Sequence, residues 1–270
     1  MMFDPAAFLK KLNRCAVMGI VNITGDSFSE GISSAPESAV KRAFALVEAG
    51  ADILDLGAES TRPGSAPVSV AEECRRLMGV LKELRQALPD MPISIDTRHG
   101  ETAAAALAEG ADIINDVGMG RDETLLKATA EYKAALILCH SRSTPDNMND
   151  PAFTCYPQGV LHEVEQELFA AADHAMLRGV AREKIWLDPG IGFAKTAEQC
   201  RSLIADAAQF SREFPWLWGI SRKSFMGGSV ESRSGETLRL EKELILSGAA
   251  VIRTHDAGAL RRYMNWEKGA

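Results

Sequence analysis

Short, β-rich apolar runs alternate along the chain with longer stretches whose apolar positions recur at helical spacing. Eight such runs predict strands, at 16–23, 53–57, 93–96, 113–117, 135–140, 185–188, 217–221 and 251–255. Most are continuously apolar, as expected of parallel strands covered on both faces. Helices are predicted between them. Ser34-x-x-Glu37 reads as a capping box before Val40, Ala43, Phe44 and Val47, which share one face. Ser69-x-x-Glu72 opens a second helix running to about Leu88, an Ala-rich run at 102–109 is a third, and 159–178 is a fourth. A phrase recurs: Gly50-Ala51-Asp52-Ile53, Gly110-Ala111-Asp112-Ile113 and Gly248-Ala249-Ala250-Val251 each end a helix at Gly and start a strand.

Toward the end of each strand a polar residue follows the apolar run: Asn22, Asp55, Asp96, Asn115, His140, Asp188, Ser221 and Arg253. From Asn22 to Arg253 is 231 residues in seven steps, or about 33 per step, the length of one βα unit. The expected fold is therefore α/β, a single-domain (β/α)8 TIM barrel over 1–270, with a short N-terminal extension at 1–14 and a C-terminal tail helix at 257–270. In that fold the C-terminal strand ends converge on one rim, where active sites sit. A polar strand end can merely mark an exit to solvent, but eight in succession favour a site. The rival, a doubly wound open sheet, lacks here the GxGxxG fingerprint after its first strand.

Composition narrows the function. A chain of 270 residues with 46% hydrophobic and 25% charged residues is neither disordered nor coiled-coil. Its net charge of −7 argues against a general nucleic-acid binder, yet leaves room for a local cationic site. The five cysteines are scattered without metal or redox spacing, so free thiols in a reducing compartment are expected. No signal peptide and no membrane-length apolar run is visible; the expected location is cytoplasmic, with no membrane partner.

Four segments exceed what ordinary loops need. MGIVNITGDSFSEG, 18–31, leaves a strand at Asn22 for a Gly- and Ser-rich loop holding one aromatic, Phe28. Such a loop can close over a site and exclude water. ESTRPGS, 59–65, supplies Thr61 and Arg62 before the Pro63-Gly64 turn, and Arg pairs with phosphate or carboxylate through two hydrogen bonds. DPGIGFAKT, 188–196, places Asp188 at a strand end before two glycines, able to pair with N–H groups of a heterocycle; the spacing is not that of a nucleotide P-loop. SRKSF, 221–225, and IRTHD, 252–256, add Lys223, Ser224, Arg253 and His255. Arg253 and His255 are two apart and share a side if the strand continues, so Arg62, Lys223, Arg253 and His255 could gather around a pyrophosphate.

Together with SIDT, 94–97, and DIINDV, 112–117, these segments in this order resemble the dihydropteroate synthase family of folate biosynthesis, from about Cys15 to Asp256. The resemblance implies a transferase. It would condense 6-hydroxymethyl-7,8-dihydropterin pyrophosphate with 4-aminobenzoate, giving 7,8-dihydropteroate and pyrophosphate, with Mg²⁺ as cofactor, in an enzyme that sulfonamides target. It implies a pterin pocket of Asp55, Asp96, Asn115, Asp188, Lys223 and Arg253, with Asp96 and Lys223 catalytic. Asn22, Thr61, Arg62, Arg253 and His255 would bind pyrophosphate, Asn22 also holding the metal, and Phe28, Thr61, Arg62, Pro63 and Ser224 would frame the aminobenzoate. Asp116, beside Asn115, should point away from the site.

The chain also departs from the family pattern. Gly25 stands where Pro is usual, Ala58 where Gly is usual, Cys139 where Met is frequent and Cys200 where Asn is common. Residues 236–250 carry Leu, Arg and Lys where small residues usually pair the homodimer, so a homodimer here would have an altered interface. Two other readings compete: a corrinoid-linked pterin methyltransferase, which has no pyrophosphate or aminobenzoate for SRKS and TRPG to hold, and a non-catalytic pterin-binding paralogue.

Overall fold

A computed structural model describes residues 3–23, 35–59, 68–143, 150, 152–229 and 232–267. In chain order its elements are α1 (Pro5–Leu12), β1 (Ala16–Asn22), α2 (Ala35–Glu48), β2 (Ile53–Gly57), α3 (Val70–Ala87), β3 (Ile93–Asp96), α4 (Gly100–Ala108), β4 (Ile113–Asp116), α5 (Glu123–Glu131), β5 (Ala135–Cys139), α6 (Val160–Leu177), β6 (Ile185–Asp188), α7 (Ala197–Ala205), β7 (Leu217–Trp218), α8 (Arg233–Leu246), β8 (Val251–Thr254) and α9 (Ala257–Glu267). The eight strands are all parallel, in the order β6-β5-β4-β3-β2-β1-β8-β7, and a parallel bridge between Leu187 and Trp216 joins the two ends into a barrel. This is the expected (β/α)8 barrel.

The alternation along the strands separates two cores. Val17, Leu54, Ile114, Leu136, Leu187 and Ile252 face outward and pack under the helices. Met18, Ile53, Ile113, Ile137, Trp186, Leu217 and Val251 face inward and fill the lower lumen. Helix α1 closes the N-terminal end: Phe3, Phe8, Leu9 and Leu12 pack on this inner cluster. The expected short extension is thus a plug, begun by Asp4, whose carboxylate accepts from the Ala7 N–H at 2.9 Å.

The recurrent Gly-Ala phrase behaves as predicted. Gly50, Gly110 and Gly248 have φ of 95°, 93° and 91°, the left-handed conformation that ends a helix without strain. Ser69 caps α3, its Oγ accepting from the Glu72 N–H at 3.3 Å. The Glu72 carboxylate does not complete a capping box; Arg75 and Arg76 take it instead, each at 2.6 Å. Ser34 lies outside the described residues. Strand β7 is shorter than predicted: after Trp218 the chain turns, and the Lys223 N–H donates to the Ile220 carbonyl at 3.2 Å. Among the described residues, no helix is long and apolar enough to cross a membrane.

Candidate active site

Two residues above the apolar lumen layer, the same inward-facing positions become polar. Ile53 is followed by Asp55, Ile113 by Asn115, Trp186 by Asp188 and Val251 by Arg253, while β3 contributes Asp96. Fully buried Asp55 is the hub. The Arg253 Nε donates to Asp55 Oδ2 at 2.6 Å, and its Nη2 donates to Asp96 Oδ2, also at 2.6 Å. Asn115 Nδ2 lies 3.3 Å from Asp55 Oδ2, and Asn115 Oδ1 is buried without a partner, an acceptor aimed at whatever fills the pocket. Lys223 donates from Nζ to the Ile191 carbonyl and lies near Asp188.

Burial sets the electrostatics. It pushes the Asp96 carboxyl up to about 7, against the pull of Arg253 and with help from Asp55. Burial also raises Asp188, opposed by Lys223, and lowers Lys223, opposed by Asp188. Three carboxylates and two cations in one largely buried pocket form a donor and acceptor array suited to a flat, polar heterocycle.

The rim is built differently. Strand β8 stops at Thr254, so the alternation that aims Arg253 inward does not extend to His255, contrary to the reading that both share a strand face. His255 is placed by Ser221: its N–H lies 3.2 Å and its Nδ1 2.9 Å from Ser221 Oγ. Arg42, from α2, donates to the His255 carbonyl. The four cations expected around a pyrophosphate therefore divide, with Lys223 and Arg253 in the pocket and His255 on the rim; Arg62 lies outside the described residues, as do Phe28, Thr61 and Pro63. Asn22 is exposed at the tip of β1, and Ser224 is exposed at the start of the turn after Lys223. Asp116 points away as expected; it accepts from the Gly118 and Gly120 N–H groups, each at 2.6 Å, and caps the turn after β4.

Sequence reasoning missed Arg42, Lys195 and the pairing of Ser221 with His255. Cys139 was visible only as a departure, yet alternation from Ile137 places its buried thiol in the lumen, within electrostatic reach of Asp188, Lys223 and Asp96. Two-residue parity beyond Ile137 was the available signal.

Residues 18–255 match the family model described as pterin binding enzyme. The dihydropteroate synthase of Synechocystis sp. is 42% identical over 256 residues, covering 92% of this chain and 87% of that protein. The chain belongs to the dihydropteroate synthase family of pterin-binding enzymes. The folic acid synthesis protein of Schizosaccharomyces pombe is 38% identical over 92% of this chain, but the chain spans only 35% of that protein. Among solved structures of the family, the Xanthomonas albilineans dihydropteroate synthase with 4-aminobenzoic acid has a TM-score of 0.87 at 33% identity, covering 96% of this chain and 93% of that one. The Yersinia pestis dihydropteroate synthase in a sulfonamide complex has a TM-score of 0.88 at 30% identity, covering 96% of each chain. The family match begins at Met18 and ends at His255, so the lumen pocket lies within it and α1 lies outside it.

Proposed function

We infer that this chain is a dihydropteroate synthase, condensing 6-hydroxymethyl-7,8-dihydropterin pyrophosphate with 4-aminobenzoate to give 7,8-dihydropteroate and pyrophosphate. The observation that carries this reading is the buried Asp55–Arg253–Asp96 bridge with Asn115, Asp188 and Lys223 around it, on a chain of this family. A pterin presents an amino group, ring N–H groups and a carbonyl. Asp96, Asn115 and Asp188 offer acceptors to the first two, and Lys223 offers a donor to the third.

The reaction is a substitution at the pterin methylene. The bond from that carbon to the pyrophosphate oxygen breaks first and the leaving group keeps the electron pair. The electron-rich pterin and the Asp96 carboxylate stabilise the carbon cation. The aminobenzoate nitrogen then forms the new bond and releases a proton. No protein nucleophile is required; the pocket contributes fixed charge and alignment.

His255, with Arg42 and Ser221 behind it, supports a pyrophosphate position at the rim, while Thr61, Arg62, Phe28, Pro63 and Ser224 remain the candidates for framing the two substrates. Among the described residues no cluster of three acidic, His or Cys side chains could cage a metal. The exposed Asn22 amide fits Mg²⁺ in the mode where the ion keeps waters and substrate phosphates as its other ligands. Asn22 would hold it there, and bound Mg²⁺ would neutralise charge on the departing pyrophosphate. The five cysteines are all free, which supports a reducing, cytoplasmic setting.

Purified protein with pterin pyrophosphate, aminobenzoate and Mg²⁺ should form dihydropteroate, read by chromatography. Pterin binding without product would leave the chain a binding protein and overturn the synthase reading.

A further inference from the structure

Beside the pocket lies a buried polar network that the mechanism above does not use. His140 follows β5, is 0% exposed, and donates its backbone N–H to the Asp188 carbonyl at 2.9 Å. Its Nε2 lies 3.0 Å from Glu167 Oε2 on α6, and its Nδ1 lies 2.8 Å from Lys195 Nζ. Carboxylates only accept, so Nε2 carries the proton and Nδ1 accepts from Lys195. Burial lowers His140 to about 3, which keeps the ring neutral. Lys195 also donates to the Gly190 carbonyl at 3.2 Å and the Phe193 carbonyl at 3.1 Å. Three ammonium donors thus meet three acceptors.

Two of those acceptors, the Gly190 and Phe193 carbonyls, belong to the 188–193 loop. Asp188 Oδ1 accepts from the Gly190 N–H at 2.8 Å, and the Ile191 carbonyl accepts from Lys223. Gly190, at φ 65°, lies so close to His140 that a Cβ there would sit 2.0 Å from the His140 carbonyl oxygen. Ala194, just before Lys195, has φ 47°, a conformation disfavoured for a residue with a Cβ, and its carbonyl accepts from Tyr156 Oη at 3.0 Å. The loop is held in a strained, close-packed form by bonds converging on Lys195 and His140.

We propose that Lys195 is a positioning residue for pterin recognition: bonded to Gly190, Phe193 and His140, it fixes the loop that aims Asp188 and Lys223 into the pocket, with Glu167 holding His140 in the accepting tautomer. The proposal rests on the pterin-binding reading above and adds a pH dependence. Lys195 faces Cys139 and His140 from the end of β5, Glu167 on α6 through His140, Cys200 on α7, the Tyr156 ring, Asp188 and Lys223. Arg142 binds Glu167 and Glu163 and stacks 3.9 Å from the Tyr156 ring centroid. Burial pulls the Lys195 ammonium down to about 7, partly offset by Cys139, Cys200 and Asp188. Burial opposes ionisation of Glu167, yet bonds from His140 and Arg142 hold its carboxyl down to about 2. A neutral amine has two N–H donors for three acceptors, so the tether loses a bond as pH rises past the Lys195 midpoint.

The test compares wild type, Lys195→Met and Glu167→Gln across pH 6 to 9. It uses steady-state KM for each substrate, and calorimetry with 6-hydroxymethylpterin as a readout independent of turnover. Lys195→Met should weaken pterin binding and raise KM for the pterin pyrophosphate about tenfold, the scale of one charged hydrogen bond, while KM for aminobenzoate moves less than about twofold. The alkaline loss of pterin affinity in wild type should vanish in Lys195→Met, and in Glu167→Gln its midpoint should move to lower pH. Unchanged pterin affinity, an equal rise in both KM values, or an unchanged pH profile would overturn the proposal. If circular dichroism shows Lys195→Met unfolded, Glu167→Gln decides: an unmoved midpoint overturns it. A wild type that forms no dihydropteroate defeats the synthase reading alone, because the calorimetric comparison still scores Lys195.

Discussion

The two ends of the barrel lumen are built on the same strands by opposite rules. At the lower end Ile53, Ile113, Trp186 and Val251 meet in an apolar layer closed by α1. Two residues further on, Asp55, Asn115, Asp188 and Arg253 meet in a polar layer open toward the rim. A shift of about 7 Å along each strand changes the task from stability to chemistry. Apolar burial below stabilises the fold and asks nothing of charge. Above, burial works against the groups it encloses: it drives Asp96 up to about 7 and depresses Lys223. Charged groups in that state are ready to exchange each other for a ligand.

This division can be broken most severely from below. Trp186→Ala should cost ~3–5 kcal/mol of folding stability by chemical denaturation, while KM for the pterin pyrophosphate in folded protein stays within about threefold. A large KM change with intact stability would erase the distinction. In the upper layer, Asp96→Ala and Lys223→Ala should each lower kcat/KM by about 10²–10³-fold with circular dichroism unchanged. Wild-type turnover in both would remove the site assignment.

A smaller effect is expected where a carboxylate enters the outer core. Glu241 on α8 is 2% exposed, bonds to Thr254, and has one oxygen without a partner; burial raises it from 4.5 to about 8. The folded state therefore keeps a proton that the unfolded chain releases in that interval. Stability from this group is full below pH 4.5 and is lost as pH rises through about 8. Glu241→Gln should abolish that loss, so thermal melts of variant and wild type should diverge in the variant's favour from pH 5 to pH 8. Parallel melts would count against a buried neutral acid. Smallest of all, Ser69→Ala should lower stability by ~1 kcal/mol through loss of the α3 cap, with no effect on either KM.

Most of the architecture was legible in the sequence because it is encoded locally. The strands at 53–57, 93–96 and 185–188 have the predicted limits, and the Gly-Ala phrase marks helix ends whose φ values require it. β7 is shorter than predicted because apolar residues continue to Ile220 although the ladder with β8 ends at Trp218, and hydropathy does not record hydrogen-bond geometry. α1 escaped notice because its role lies in packing on the inner cluster, whose residues come from strands spread along the whole chain. Within the site, Asp55, Asp96, Asn115, Asp188 and Arg253 stood out as polar residues after apolar runs and Lys223 through the SRKSF segment, while their joint pocket was implied by the family resemblance. His255 was read by strand parity past the point where the strand stops, and Arg42 carried no signal, since one Arg on an amphipathic helix resembles any solvated charge.

By itself the sequence determined which residues could line a rim: periodicity places every second strand residue on one face, and the strand count places those faces on one axis. Only the tertiary structure decided who pairs with whom. Arg253 spans to Asp55 and Asp96, from β8 to β2 and β3, and Lys195 finds His140 fifty-five residues away. Closure of the barrel creates those distances. Low dielectric and the scarcity of partners in the lumen then make each buried charge settle on the few groups within reach.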